Sequence, residues 1–164
     1  MIRAARADDV AAIYRLIRAL AEYEKSLDAV TASEQDLRRS LFGPDPKVFA
    51  HVAAGDDGVV AGCALWFVNY STWTGTHGIY LEDLFVEPAA RGRGFGKALL
   101  AELARLCAER GYARLEWAVL DWNTPSIKFY RAIGARAMDD WDNYRLSGPA
   151  LARLGSAAET RTPE

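Results

Sequence analysis

Residues 78–100, GIYLEDLFVEPAARGRGFGKALL, constrain the chain more than any other stretch. They read as a strand, a short loop rich in glycine and arginine, and then a helix. Ile79, Leu81, Leu84, Phe85 and Val86 give the strand an apolar set, interrupted by Glu82 and Asp83. Leu99, Leu100, Leu103, Leu106 and Cys107 recur at helical spacing after the loop. Glycines at a strand-to-helix junction let backbone N–H groups fold around an anion, and the helix N-terminus adds a partial positive charge. Arg91 and Arg93 add full charges. The junction is therefore expected to take a phosphate-bearing ligand.

Spacing excludes two common glycine motifs. A nucleotide P-loop needs a glycine five residues before the Gly-Lys pair, with Ser or Thr after it. Here Gly96-Lys97 is followed by Ala98, and Arg91 stands at the earlier position. A dinucleotide fingerprint needs Gly-x-Gly-x-x-Gly, whereas Gly92, Gly94 and Gly96 are spaced by two.

The 164 residues, 51% apolar and 26% charged, suit one globular domain, expected over residues 1–154 with a flexible tail over 155–164. A net charge of −2 offers no basic field for nucleic acid. No apolar run is long enough for a membrane span, and the N-terminus lacks a signal-peptide apolar region, so a cytoplasmic location is expected. Cys63 and Cys107 read as buried thiols, His51 and His77 are isolated, and no metal site is expected.

Taken in order, residues 2–4 form a strand. Asp8 or Asp9 caps a helix to about Glu24 with Val10, Ile13, Ile17 and Leu20 as its buried stripe. Thr31 to Glu34 reads as a capping box for a helix over 33–41. Strands follow at 48–54 and 59–68, joined by an Asp-Gly turn, and then a loop over 69–77. After the long helix, Gly111 is its C-cap, 114–119 is a strand, and Thr124-Pro125 opens a short helix closed by Gly134. Residues 136–138 and 144–146 read as a last strand pair. This order implies a mixed α/β sheet with helices on both faces.

The segment Arg91-Gly92-Arg93-Gly94-Phe95-Gly96, placed between that strand and that helix, resembles the acetyl-CoA site of the GNAT N-acetyltransferases. The resemblance covers roughly residues 2–146 and is strongest to the spermidine/spermine (diamine) group. Leu20-Ala21-Glu22-Tyr23-Glu24, Tyr80-Leu81-Glu82-Asp83 and Trp122-Asn123-Thr124-Pro125-Ser126 with Phe129-Tyr130 carry it. Tyr70-Ser71-Thr72-Trp73 and the run from Ala118 to Asn123 look more like the thialysine branch. The polyamine branch tends to have an acid at the position of Ser71 and more acids after Glu24, where this chain has Lys25-Ser26-Leu27-Asp28.

The resemblance implies a GNAT fold with about six or seven strands. It also implies acetyl transfer from acetyl-CoA, without metal, to a primary amine of a small amino compound by direct attack in a ternary complex. Thialysine-like or lysine-like amino acids come first and diamines or polyamines second. A protein-lysine acceptor and a non-catalytic acetyl-CoA sensor are the alternatives, and a homodimer is expected by resemblance alone. An alkyl amine, with a pKa of about 10.4, must lose a proton before it attacks. Glu82 is the expected base, acting through water, and Tyr130 the expected acid for the thiolate. Backbone groups of Leu84, Phe85 and Val86 are expected to pair with the pantetheine arm, and a bulge in this strand to splay it from the next. Arg91 to Gly96 and Lys97 meet the phosphates. Asn123, Pro125, Ser126 and Tyr130 lie along the cofactor arm, with a plain helix cap an open alternative for Asn123. Tyr23, Glu24, Asp83, Trp73 and Trp122 are placed at the amine. Asp83 is either an attractor of the ammonium or a partner of an arginine, and for both tryptophans core packing is the open rival.

Overall fold

Strands β1 (Ile2–Ala4), β2 (Phe49–Ala54), β3 (Val60–Ser71), β4 (Thr76–Val86) and β5 (Leu115–Trp117) form one sheet in that spatial order. The computed structural model describes residues 1–159 of the chain. These fall into two compact units, Met1–Asp121 and a second that begins at Trp122.

In the first unit the strands from β1 to β4 pair antiparallel, and β4 pairs parallel with β5. The parallel step needs a crossover, and α3 (Phe95–Arg110) supplies it. Helices α1 (Val10–Tyr23) and α2 (Glu34–Phe42) pack on the opposite face. Strand alternation explains the split. Val52, Cys63, Leu65 and Phe85 join Ile13, Leu16 and Leu41 in one core cluster. Their neighbours His51 and Trp66 turn the other way, toward Glu102 and Arg110 of α3. Leu99, Leu100, Leu103 and Cys107 are the buried residues of α3.

The α/β class and helices on both faces match expectation, with five strands among the described residues in place of six or seven. The missing pair is at 136–138 and 144–146, where the described chain forms no ladder. These segments meet no partner strand among the described residues, and a strand exists only where it pairs. The expected strand over 114–119 shortens to Leu115–Trp117. The expected loop over 69–77 is mostly ladder, with Asn69 opposite Gly78 and Ser71 opposite Thr76. Asn69 Nδ2 also donates to Glu116 Oε2 at 3.0 Å, which ties β3 to β5 across β4.

Helix ends differ in detail. In α1, Leu16 rather than Ile17 or Leu20 completes the fully buried set with Val10 and Ile13. The capping box of α2 is Ser33 with Asp36, two residues beyond the expected one. The Asp36 amide donates to Ser33 Oγ at 3.2 Å, and the Ser33 amide donates to Asp36 Oδ2 at 2.9 Å. The second unit holds α4 (Thr124–Ala132) and α5 (Gly148–Glu159). Residues 155–159, expected in a tail, continue α5, and 160–164 lie outside the described residues.

Asp9 fastens β1 to the start of α1. Arg3 donates to both its carboxylate oxygens, at 2.6 and 2.8 Å, and the Arg6 amide donates at 2.7 Å. The Arg3 guanidinium, first, and the Arg6 amide hold the Asp9 carboxyl below the usual carboxylate range, against the upward push of burial. A lowered folded pKa gives stability that is present above the unfolded value of about 3.9 and is lost as pH falls through the folded value. Asp9→Asn is therefore expected to cost about 2 kcal/mol at pH 7, and the difference from the parent should shrink as the pH is taken below about 4. Urea denaturation at the two pH values checks it.

Candidate active site

The ladder between β3 and β4 slips by one residue in its middle. Leu65 lies opposite Asp83 and Trp66 opposite Leu81, so Glu82 is the extra residue of a β-bulge. Pairing of β4 with β5 stops at the same place, with Leu81 opposite Trp117 as its last pair. From Glu82 to Val86 that edge of β4 has no strand partner among the described residues. The expected bulge and splay are therefore present.

The register says which backbone groups face the open edge. The Glu87 amide donates to the Ala61 carbonyl at 2.8 Å. In an antiparallel ladder this turns Phe85 inward to β3 and leaves Leu84 and Val86 facing out. Arg91 Nε agrees, since it reaches the Val86 carbonyl from outside at 3.1 Å. Phe85 instead buries its ring in the α1-side core.

The loop after β4 is held by its first arginine. Besides the Val86 carbonyl, the Arg91 guanidinium lies 5.6 Å from the Tyr23 ring centroid and 5.5 Å from that of Phe85. Arg93 lies 5.0 Å over Phe95. Gly92 and Gly94 have φ of 78° and 79°, the left-handed region where a Cβ is strained. Helix α3 then starts at Phe95, and its first internal bond runs from the Ala98 amide to the Gly94 carbonyl at 2.9 Å. The amides of Phe95, Gly96 and Lys97 come before that bond and have no carbonyl partner within the helix. These are the backbone donors at the junction where the glycine spacing leads one to expect an anion.

Carboxylates gather beside the bulge. Asp83 is pushed up to about 6, by burial first and then by the charges of Glu82 and Glu24. Glu24 is itself raised by burial. Glu24 follows α1, whose end is turned by Lys25 at a left-handed φ of 58°. The Ser26 amide bonds the Ala21 carbonyl at 2.8 Å and the Lys25 amide bonds that of Glu22 at 3.0 Å, the two bonds of a Schellman cap. Tyr23 and Glu24 are thus fixed at the helix end, where Glu24 acts on Asp83 together with Glu82 and the Tyr23 ring lies against Arg91.

Trp73 does not join them. It is 81% exposed in the turn between β3 and β4, about 20 Å of strand from Glu82 at the usual rise per residue. Sequence reasoning missed Tyr80, whose phenol is raised by burial and then by Glu82 and Glu116. Its place two residues before Glu82 was the available signal.

Within the second unit, Asn123 is buried and caps α4, accepting from the Ser126 amide at 3.4 Å. Pro125 occupies the first turn, where its missing N–H costs nothing. This is the helix cap that stands as the alternative reading of Asn123. Tyr130 is half-buried, its ring 5.4 Å from that of Phe129, and Trp122 is 45% exposed. Among the described residues no group of three His, Cys, Asp or Glu side chains is placed to hold a metal. No described helix is long and apolar enough to cross a membrane.

Comparison with known proteins agrees with this geometry. A model of the acetyltransferase (GNAT) family matches residues 10–135. Thialysine N-epsilon-acetyltransferase of Bos taurus is 38% identical over 94% of this chain and 96% of its own length. L-ornithine N5-acetyltransferase of Arabidopsis thaliana is 31% identical over 92% of this chain and 85% of its own. Among solved structures, an integron cassette protein from the mobile metagenome of V. cholerae superposes with a TM-score of 0.77 at 28% identity, covering 94% of this chain and 96% of that one. A family match across most of the chain, joined to relatives that share its full extent, places this chain in the acetyltransferase (GNAT) family as an N-acetyltransferase.

Proposed function

We propose that the protein moves the acetyl group of acetyl-CoA to a primary amine of a small amino compound, by direct attack in a ternary complex. Thialysine-like or lysine-like amino acids come first as acceptors, with diamines and polyamines second. The observation that carries this reading is Glu82 at the bulge, where β4 loses its strand partner and begins to present open backbone groups. The names of the thialysine and ornithine relatives support an amino acid with a side-chain amine.

In this reading the amides of Phe95, Gly96 and Lys97, with Arg93 and the Lys97 charge, hold the diphosphate. The loop glycines Gly92 and Gly94 allow the approach, and Arg91 braces the loop. The outward peptide groups of Leu84 and Val86 pair with the pantetheine arm as an added strand would. Glu82 takes the ammonium proton through water, which frees the lone pair for attack. Asp83 and Glu24, acting as anions, draw in the cationic acceptor, and Tyr23 and Trp122 wall it. Tyr130 donates a proton to the departing thiolate, and Asn123, Pro125 and Ser126 set the start of the helix that carries it. Outward-facing N–H groups on β4 stabilise the charge that develops on the acetyl oxygen.

We also propose a homodimer. Met138, Trp141, Tyr144 and Leu146 are 67%, 66%, 95% and 48% exposed within one short segment, a density of apolar surface that favours cover by a second copy.

Glu82→Gln is expected to lower kcat about 100-fold or more, and Tyr130→Phe at least about tenfold, each with acetyl-CoA affinity retained. Thiol release over a panel of amino acids, diamines and a lysine peptide measures this. Unchanged turnover in both variants overturns the assigned roles, and acetylation of the peptide alone favours a protein acceptor. For a cationic acceptor, kcat/KM should rise with pH through about 6, because Asp83 becomes an anion there. Asp83→Asn should remove that step from the pH profile. Light scattering should give twice the chain mass, reduced to one chain mass by Tyr144→Glu together with Met138→Glu.

A further inference from the structure

The second half of α3, the start of β2 and the end of α2 line a cleft of about 420 Å3 that is open to solvent on one side. It lies where β1 stops: Ala4 pairs with His51, and β2 extends beyond it to Phe49. None of its lining residues belongs to β4 or to the 91–97 loop. Its volume is that of a small-molecule site. Trp66 and Phe49 make an aromatic wall, their ring centroids 4.7 Å apart at 31°, and Phe42 adds a third ring.

Its polar chemistry converges on His51, which is buried. Trp66 Nε1 donates to His51 Nδ1 at 3.1 Å. An indole nitrogen only donates, so a neutral His51 carries its proton on Nε2. Burial, the largest influence, pushes the imidazole below its ordinary range, and Arg105 and Arg110 push the same way against Glu102. The neutral form therefore holds at pH 7. Nε2 lies 3.9 Å from Glu102 Oε1, too far for a hydrogen bond. One oxygen atom can sit about 2.9 Å from both. A hydroxyl is the group that accepts from the N–H and donates to the carboxylate at once. The surrounding charges leave little call for an ion. Arg105 pairs with Glu102 through two contacts and also with Glu109, and Arg110 lies 5.5 Å over the Trp66 ring.

We propose that this cavity is a second ligand site, apart from the acetyl-transfer slot, for a small neutral aromatic alcohol of the phenol class. The hydroxyl bridges His51 Nε2–H and the Glu102 carboxylate, and the ring meets the Trp66–Phe49 wall.

The test titrates the full chain with phenol, toluene and benzoate, followed by NMR of backbone amides and indole N–H groups. Phenol should shift the Trp66 indole and the amides of residues 49–51 and 102–110, and leave those of 91–97 in place. Toluene should bind about tenfold more weakly, the worth of one net hydrogen bond, and benzoate no more tightly than toluene. His51→Phe should bring phenol to the affinity of toluene. Leu106→Trp, which fills the cavity from α3, should abolish both, and it carries the test if His51→Phe does not fold. Equal affinity for phenol and toluene overturns the proposal, since a water then serves the polar pair. So does tightest binding of benzoate, which marks an anion site, or phenol shifts that survive Leu106→Trp.

Discussion

Ladder pairing on one edge of β4 ends at Leu81, and the rest of the proposed acetyl-transfer site follows from that break. From Ile79 to Leu81 the strand has a neighbour on each side; beyond Leu81, β3 alone remains among the described residues. Unpaired backbone groups are costly when water is excluded, so an open edge inside a sheet must be held open by something. Two features hold it. The extra residue at Glu82 changes the local twist on the β3 side, and the loop that follows is tied back to the Val86 carbonyl by Arg91. The same residue that makes the slip also carries the carboxylate, so the opening and the proposed base arise from one insertion in the ladder.

Three carboxylates near one point work against stability and in favour of binding a cation. Asp83 shows the cost directly, since burial and two neighbouring anions push its carboxyl up to about 6. Near neutral pH it is mostly ionised, so the field at the bulge is strongly negative, and an ammonium relieves the repulsion that the acids impose on one another. Glu24 adds to this field because a Schellman cap stops α1 at its end instead of letting the helix unwind. A left-handed Lys25 in place of the usual glycine is strain of order 1 kcal/mol, held by the two bonds of the cap.

The parts legible in the sequence were those with a local cause. The strand–loop–helix of residues 78–100 could be read because glycine at Gly92 and Gly94 answers to a backbone angle and the leucines of α3 to a helical period. The capping box was misplaced by two residues because Thr31 to Glu34 and Ser33 to Asp36 both satisfy the pattern, and only the second meets the helix. Ladder register is a relation between two distant segments, so the slip at Glu82 left no trace beyond adjacent acids that break the alternation. Residues 136–138 and 144–146 have the composition of strands without a partner in the described chain, which composition cannot reveal. Arg91 was read from its charge as a phosphate ligand. Its contact with Tyr23 depends on where α1 ends, 63 residues before the end of β4.

The position of Arg91 makes the loop and the open edge one mechanical piece. Two glycines in left-handed conformation would leave a loop with many accessible shapes, and an anion cradle that must be ordered on binding gives up affinity to do so. Anchoring one end of the loop at Val86 and the other in α3 restricts those shapes in advance. Val86 is also a residue whose peptide groups face the open edge, so a displacement of the loop would be felt along that edge. The proposed cradle for phosphate and the proposed edge for the arm are thereby kept at one fixed spacing, as a ligand carrying both an anionic and an amide-bearing part requires.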